Sequence, residues 1–156
     1  MKTVSFFHDQ LCYINVTTQD HIITALHFSD EPLHTVVPCN NALYQTLIEY
    51  LDGTHSVSRL SFSQSGTSFQ QTVWSYLSTI PYWTTQTYKQ VAESMWIPNA
   101  IRAIATAIAD NKIALLVPCH RVIWSDWSLH GFAWWLHRKQ YLLEHEKTTS
   151  TSWMVR

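Results

Sequence analysis

Glycine is scarce in this sequence. The 156 residues include 3 glycines and 8 tryptophans, whereas an average usage of about 7% predicts roughly 11 glycines. Folded domains place glycine in turns, at helix ends and where the backbone passes close to a ligand. The shortage therefore indicates either a rigid chain or glycine positions that have been read as another residue.

Long apolar runs and paired cysteines are also missing. No run approaches the roughly 20 apolar residues of a membrane span, and the first nine residues turn polar too early for a signal peptide. Cys12, Cys39 and Cys119 are an odd number without CxxC spacing, which argues against a disulfide framework or a zinc ribbon. We expect a cytoplasmic protein with no membrane segment, no metal and no cofactor.

The net charge is small, −1, which argues against a strongly electrostatic nucleic-acid binder. This charge is unevenly divided. Residues 1–67 carry two cations and six anions, whereas residues 68–156 carry eight cations and five anions. Any contact with an anionic polymer is therefore expected in the second half.

Residues 1–65 predict a small α/β domain. Two β-rich runs, 11–17 and 22–28, are split by a polar turn and suit a hairpin. Apolar residues at helical spacing predict a helix over 41–51. A Ser/Thr-rich stretch, 54–67, then leads to the domain boundary as an extended crossing segment.

Residues 66–147 predict a helical domain, and residues 148–156 a polar tail. The stretches 68–71 and 87–90 fit the capping-box pattern, which marks the start of a helix. A further helix runs from Pro98 to about Ala109 and follows its predecessor after a few residues. Two short helices joined in this way indicate a helix-turn-helix.

The helix that ends near Ala109 has two unlike faces. One face is apolar, and the other carries small residues with Arg102 as its one long side chain, so its backbone can approach a partner closely. The alternative is an alanine-rich helix packed on both sides, which Arg102 opposes because an unpaired arginine is rarely buried. The apolar face comprises Ile101, Ile104 and Ile108, and the small face Ala105, Thr106 and Ala109.

A cysteine followed by a base and a cation lies at 118–123, in Pro-Cys-His-Arg-Val-Ile. A cysteine becomes a nucleophile when a neighbouring imidazole or cation lowers its pKa, and His120 and Arg121 follow Cys119 directly. Adjacency in sequence does not establish contact, however. A buried structural thiol is the alternative, because free cysteine is among the most buried residue types.

Over residues 66–146 the sequence resembles the O6-alkylguanine-DNA alkyltransferases, also called methylated-DNA–protein-cysteine methyltransferases. The most specific match is Pro-Cys-His-Arg-Val with a downstream Leu-Leu-x-His-Glu that ends at Glu146. Relatives that bind alkylated DNA without repairing it have tryptophan in place of the cysteine, so Cys119 argues against that branch. Further matches are Gly-Thr-Ser-Phe-Gln at 66–70, Thr-Tyr at 87–88, Ala-Ile-Arg-Ala-Ile-Ala at 100–105, Asn111 and Arg-Lys at 138–139.

The resemblance implies a reaction and roles for five residues. Cys119 accepts the alkyl group from guanine O6 in a single turnover, and its proton passes through a water to His120, which Glu146 orients. Tyr88 helps to turn the nucleotide out and donates a hydrogen bond to the departing base. Asn111 ties the helix-turn-helix to the active-site segment.

The resemblance also implies a DNA surface and a substrate pocket. Arg102 fills the gap left by the flipped base, and the small helix face lies in the minor groove. The partner is double-stranded DNA containing alkylated guanine, and the protein acts as a monomer. The DNA-binding residues are Tyr88, Ala100, Arg102, Ala103, Ala105 and Thr106; the pocket residues are Pro118, Val122, Phe132, Ala133 and Trp134.

The fold class implied is α+β, with an N-terminal ribonuclease-H-like α/β domain and a C-terminal, winged-helix-like helix-turn-helix domain. Two other functions stay open. One is a non-catalytic protein that recognises alkylated bases, and the other is an unrelated cysteine hydrolase that uses Cys119 and a histidine.

Departures from the family are concentrated at tryptophans. Six of the eight stand where family members have glycine, and Trp134 and Trp135 among them would obstruct the base pocket. We hypothesise that the gene comes from an organism that reads UGA as glycine and was translated with UGA as tryptophan. The alternative is a genuine tryptophan-rich protein with a blocked pocket. The six positions are Trp83, Trp96, Trp124, Trp127, Trp134 and Trp135.

Overall fold

The structure is a computed structural model that describes residues 1–54, 59–126 and 136–154. It has mixed α+β architecture and divides into two compact units. The first unit comprises residues 1–64, 112–115 and 148–156, and the second comprises residues 65–111 and 116–147. None of the described helices is long and apolar enough to cross a membrane.

A three-stranded antiparallel sheet forms the first unit. Its strands are β1 (Lys2–His8), β2 (Cys12–Gln19) and β3 (Ile22–Ser29), in the order β1-β2-β3. The predicted hairpin is therefore confirmed as β2–β3, and β1 is an additional strand. Inward-facing residues of all three strands are fully buried, among them Phe6, Ile14, Val16 and Leu26.

One helix, α1 (Ala42–Leu51), follows the sheet and confirms the prediction for 41–51. The Asn41 side chain accepts a hydrogen bond from the Leu43 amide at 2.9 Å and caps its start. Its Tyr44 ring packs against Phe6, with ring centroids 5.3 Å apart. The apolar face of α1, including Leu47 and Leu51, is thereby buried in the first unit.

The second unit contains three short helices, α2 (Ser68–Leu77), α3 (Tyr88–Ser94) and α4 (Ile101–Ala109). Thr87 and Gln90 form the predicted capping box of α3. The prediction for α2 was wrong by one residue, because Thr67 and Gln70 make its capping box. In both boxes a threonine hydroxyl and a glutamine amide satisfy the free N–H groups reciprocally.

The remaining elements of this unit surround the cysteine segment. Strand β4 (Gln86–Thr87) pairs in parallel with β5 (Val122–Ile123), and a single 3-10 turn (Cys119–Arg121) precedes β5. The long helix α5 (Leu136–Met154) follows, and its residues 136–147 belong to this unit. Residues 148–154 of α5 belong to the first unit, so the polar stretch at the end of the sequence is helical there.

Helix α4 shows the two faces that its sequence predicts, with one correction. Ile104, Ala107 and Ile108 are buried, whereas Ile101 is only partly buried. The buried Trp74 of α2 donates its indole N–H to the Ala107 carbonyl at 2.8 Å and fixes this face. The opposite face, with Arg102, Ala103 and Thr106, is exposed, so the alternative of a helix packed on both sides is wrong.

Trp96 ends helix α3 in a conformation that favours glycine. Its φ is 63°, its N–H donates to the Glu93 carbonyl and the Ile97 N–H donates to the Ala92 carbonyl. These two bonds define the Schellman motif, whose left-handed residue is usually glycine. The Trp96 side chain is 91% exposed, so no packing compensates for the strain.

Trp83 shares this left-handed conformation, with a φ of 62°. Bulky residues other than glycine rarely occupy this region. Trp124 has no positive φ, and Trp127, Trp134 and Trp135 lie outside the described residues. The backbone therefore supports native glycine at two of the three described positions.

We expect Trp96→Gly to stabilise the protein by about 1 kcal/mol. The substitution relieves roughly 1–2 kcal/mol of left-handed strain and loses part of that gain to the freedom of glycine in the unfolded chain. Urea unfolding followed by circular dichroism measures the change.

Trp124→Gly is the matched control. Trp124 lacks the left-handed conformation and its ring packs on Tyr88 at 4.6 Å between centroids, so we expect this change to lower stability. Equal effects of both substitutions would contradict the strain assigned to Trp96.

Candidate active site

The cysteine segment lies within the second unit, where Asn111 binds the backbone just before it and Lys139 binds the backbone just after Arg121. Pro118 and Val122 are buried, whereas the Cys119 side chain keeps partial exposure. The Asn111 side-chain amide, just after α4, donates to the Val117 carbonyl at 3.0 Å. This bond links the residue that follows α4 by two positions to the start of the cysteine segment.

His120 and Glu146 form a buried pair. The imidazole Nε2 lies 2.6 Å from the Glu146 Oε1, and both side chains are at most 4% exposed. The other ring nitrogen, Nδ1, is buried without a hydrogen-bond partner. Because a carboxylate only accepts, Nε2 carries the proton of the neutral ring and Nδ1 is left as an acceptor.

Arg121 binds the same carboxylate. Its Nη2 donates to Oε1 at 2.9 Å and its Nε donates to Oε2 at 3.0 Å, so the guanidinium forks around Glu146. Its Nη1 donates to the Ile80 carbonyl at 2.7 Å. Although burial opposes the charged form, hydrogen bonds and charge from His120 and Arg121 lower the pKa of Glu146 to about 2.

The turn before β4 completes the shell around Glu146. The backbone N–H of Trp83 donates to Oε2 at 3.0 Å, and the left-handed conformation of this residue belongs to the same turn. Tyr82 places its ring 5.5 Å from the Arg121 guanidinium carbon. Glu146 is therefore hydrogen-bonded to two separate stretches of chain, the turn at Trp83 and the cysteine segment at His120 and Arg121.

The Cys119 thiol is in its protonated form near neutral pH. Burial raises the pKa of the thiol, while a hydrogen bond from Asn111 and the charge of Lys139 lower it only in part. Sequence adjacency suggested activation by Arg121, but its guanidinium binds Glu146 instead. A group that removes the proton is therefore needed when Cys119 reacts.

Tyr88 begins α3 and is buried beside Cys119. Burial, with a smaller effect from the Cys119 charge, raises the pKa of its phenol to about 12. The hydroxyl consequently stays protonated and available as a hydrogen-bond donor.

Lys139 is a site residue that sequence reasoning missed. Its side chain is buried, and its Nζ donates to the Val122 carbonyl at 2.6 Å. Burial lowers the pKa of this amine to about 8, while the Cys119 charge raises it. The Arg-Lys pair at 138–139 was noticed only as part of the resemblance, because nothing in its spacing from Cys119 predicts contact.

A second feature is an open groove beside the small face of α4. It has a volume of about 560 Å³ and lies between that face and the start of α2. Four predicted DNA-binding residues, Ala100, Arg102, Ala103 and Thr106, line it; Ala105 is absent from its lining and is half-buried.

Three predicted pocket residues, Phe132, Ala133 and Trp134, lie outside the described residues. Among the residues that are described, no group of three or more His, Cys, Asp or Glu side chains could hold a metal ion. The structure thus brings together Cys119, His120, Glu146, Tyr88 and Asn111, and adds Arg121 and Lys139 to them.

Comparison with known proteins identifies a family that matches this arrangement. A family model described as 6-O-methylguanine DNA methyltransferase, DNA binding domain, matches residues 68–148. A methylated-DNA–protein-cysteine methyltransferase of Mycobacterium leprae is 40% identical over 114 residues, which cover 71% of this chain and 69% of that protein. The corresponding protein of Methanosarcina barkeri is 44% identical, covering 63% of this chain and 62% of its own length.

Solved structures agree. The O6-methylguanine methyltransferase of Mycobacterium tuberculosis matches with a TM-score of 0.81 and 30% identity, over 94% of this chain and 93% of that one. A structure of the same organism's OGT in complex with DNA matches with a TM-score of 0.79 and 31% identity, over the same shares of both chains. The chain spans only 23% of the bifunctional activator and repair enzyme Ada of Escherichia coli, to which it is 48% identical over 81 residues.

We expect stability to fall as the pH drops from about 5 towards 2. The pKa of Glu146 is about 2 in the folded protein, against an ordinary value of 4.5, so its contribution is complete above 4.5 and disappears as the folded carboxylate is protonated. That contribution is about 3 kcal/mol. Thermal unfolding from pH 2 to 7 measures it.

Glu146→Gln should therefore destabilise the protein at pH 7 and flatten this acid dependence. Glu144→Gln, an exposed carboxylate on the same helix, is the control and should leave the pH profile unchanged. An unaltered acid slope in Glu146→Gln would contradict the assignment.

Proposed function

The chain belongs to the 6-O-methylguanine DNA methyltransferase family, as its sequence resemblance predicted, and we propose that it repairs DNA by transferring an alkyl group from guanine O6 to Cys119. Each molecule acts once, because the thioether product is not reversed. The observation that carries this proposal is the buried His120, which is bonded to Glu146 at Nε2 and unpartnered at Nδ1, next to a protonated thiol.

The geometry supports a stepwise account of the transfer. The Cys119 proton passes through a water to His120 Nδ1, and Glu146 stabilises the imidazolium that forms. The thiolate sulfur bonds to the alkyl carbon as the bond between that carbon and guanine O6 breaks. The electron pair stays on the base, where the Tyr88 hydroxyl donates a hydrogen bond.

Reaching O6 requires that the nucleotide leave the duplex, since O6 is inaccessible within the base stack. We assign Arg102, exposed on α4, to the gap left by the flipped base. Ala100, Ala103, Ala105 and Thr106 present little side-chain volume, which suits close approach to the minor groove with little reading of sequence. A repair protein needs that lack of sequence preference.

Finer features of the fold and partner belong to the same proposal. The sheet β1–β3 followed by α1 supports a ribonuclease-H-like first domain, and α3–α4 beside the β4–β5 pair supports a winged-helix-like domain over 66–147. We further propose a monomer that acts in the cytoplasm on duplex DNA containing alkylated guanine.

Incubation with a duplex that carries one O6-methylguanine tests the reaction. We expect one methyl group per protein, located on Cys119 by peptide mass spectrometry, and no transfer by Cys119→Ala, which still binds the DNA. Binding without transfer, both in the parent protein and in the glycine form described next, favours a non-catalytic reader of alkylated bases. Hydrolysis of an ester or amide with repeated turnover favours the cysteine hydrolase.

The same assay is run on a form in which the six tryptophans at expected glycine positions are replaced by glycine. Transfer by this form alone supports the recoding hypothesis, because indoles at 134 and 135 would obstruct the base pocket. Transfer to Cys119 by neither form overturns the proposed function.

Arg102→Ala tests the DNA surface. We expect binding to the duplex to weaken and transfer to slow by at least tenfold, because the extruded base loses the side chain that replaces it. Lys2→Ala removes an exposed cation from β1 of the other unit and serves as the control. Equal loss in both variants would show a general charge effect, against the role given to Arg102.

A further inference from the structure

Arg121 has no role in the transfer as described so far, yet it is 4% exposed and bound to the Glu146 carboxylate. We propose that Arg121 is a positioning residue that keeps His120 uncharged before the reaction, by neutralising Glu146 and fixing the orientation of its carboxylate. This inference rests on the proposed function, in which His120 must accept a proton.

The contacts leave Glu146 little freedom. Its Oε1 faces His120 Nε2 and accepts from Arg121 Nη2, whereas its Oε2 accepts from Arg121 Nε and from the Trp83 amide. Arg121 is itself anchored through Nη1 to the Ile80 carbonyl. The carboxylate is therefore held in one plane, with Oε1 directed at the imidazole.

The charge of Arg121 decides how strongly Glu146 favours the charged form of His120. A buried carboxylate that faced His120 alone would favour imidazolium strongly, since the pair would then be neutral. With Arg121 bound, Glu146 is already neutralised and a second cation is not needed. The pKa of His120 is accordingly lowered, mainly by burial, with Arg121 and Lys139 lowering it further against the effect of Glu146.

An uncharged His120 is a requirement of the transfer. Imidazolium carries protons on both nitrogens, so its Nδ1 could not accept the proton that leaves Cys119. The other ionisable groups around the reacting pair are Lys139, whose charge acts on Cys119 and His120, and Tyr88, which stays protonated beside Cys119. Among the described residues, Arg121 is the one cationic side chain besides His120 itself that is bonded to the Glu146 carboxylate, since the Trp83 amide that also binds it is uncharged.

Titration of His120 by nuclear magnetic resonance, without DNA, tests the inference directly. In the parent protein we expect His120 to titrate below its ordinary pKa of 6.5. In Arg121→Gln the loss of a buried cation should raise that pKa by about one pH unit or more. Arg121→Lys keeps the charge and should stay near the parent value.

Single-turnover methyl transfer against pH gives the second measurement. We expect the acid limb of the rate profile to move to higher pH in Arg121→Gln, by the same amount as the His120 pKa. Arg121→Lys should keep the limb in place and lower the plateau rate, because an ammonium cannot fork around the carboxylate. A purely structural role would lower the plateau in both variants without moving the limb.

Lys89→Gln, which removes an exposed cation from α3, controls for a general change of charge and should leave the His120 pKa unaltered. A parent protein whose His120 titrates above pH 7 overturns the inference even if Arg121→Gln fails to fold. An unmoved pKa in folded Arg121→Gln overturns it as well. If the pKa moves but neither the parent protein nor the form with glycine at the six positions transfers a methyl group, the proposed function fails and the electrostatic role of Arg121 stands.

Discussion

A single buried anion organises the second unit. The Glu146 carboxylate, on α5, receives hydrogen bonds from His120, from Arg121 and from the backbone at position 83. Burying a charge is costly unless every part of it is paired, so these segments must close around it together. The position of the cysteine segment therefore depends on a residue 27 places later in the chain.

Burial acts on both reacting groups. It raises the pKa of the Cys119 thiol and lowers the pKa of the His120 imidazole, whose Nδ1 has no hydrogen-bond partner. Both directions favour the uncharged form of the group. Arg121 and Glu146 carry charges that satisfy each other, and Lys139 is the buried cation whose charge acts on Cys119 and His120.

Sequence reasoning succeeded where the physical cause is local. The hairpin, α1 and the Thr87 capping box follow from alternation, helical spacing and a hydroxyl placed three residues before a glutamine. It placed the α2 cap at Ser68 rather than Thr67, because both hydroxyl residues precede a glutamine by three and only the backbone conformation distinguishes them. Strand β1 was missed since its pairing with β2 is what orders its mixed polar and apolar residues.

The site was predictable in part for a similar reason. Cys119, His120 and Glu146 came from a motif, whereas the contributions of Arg121 and Lys139 depend on where α5 and the 80–83 turn lie in space. An arginine beside a cysteine looks like an activating cation in sequence. Only the fold shows that its guanidinium binds the Glu146 carboxylate.

The left-handed turn at residue 83 also has a consequence for which cells can make the full chain. If that residue is a glycine written as UGA, a cell that reads UGA as a stop codon would end the chain after Tyr82. The fragment would lack α3, α4 and the whole cysteine segment. The gene would then give the full chain only in hosts that share its codon assignment, and a fragment without Cys119 in any other recipient.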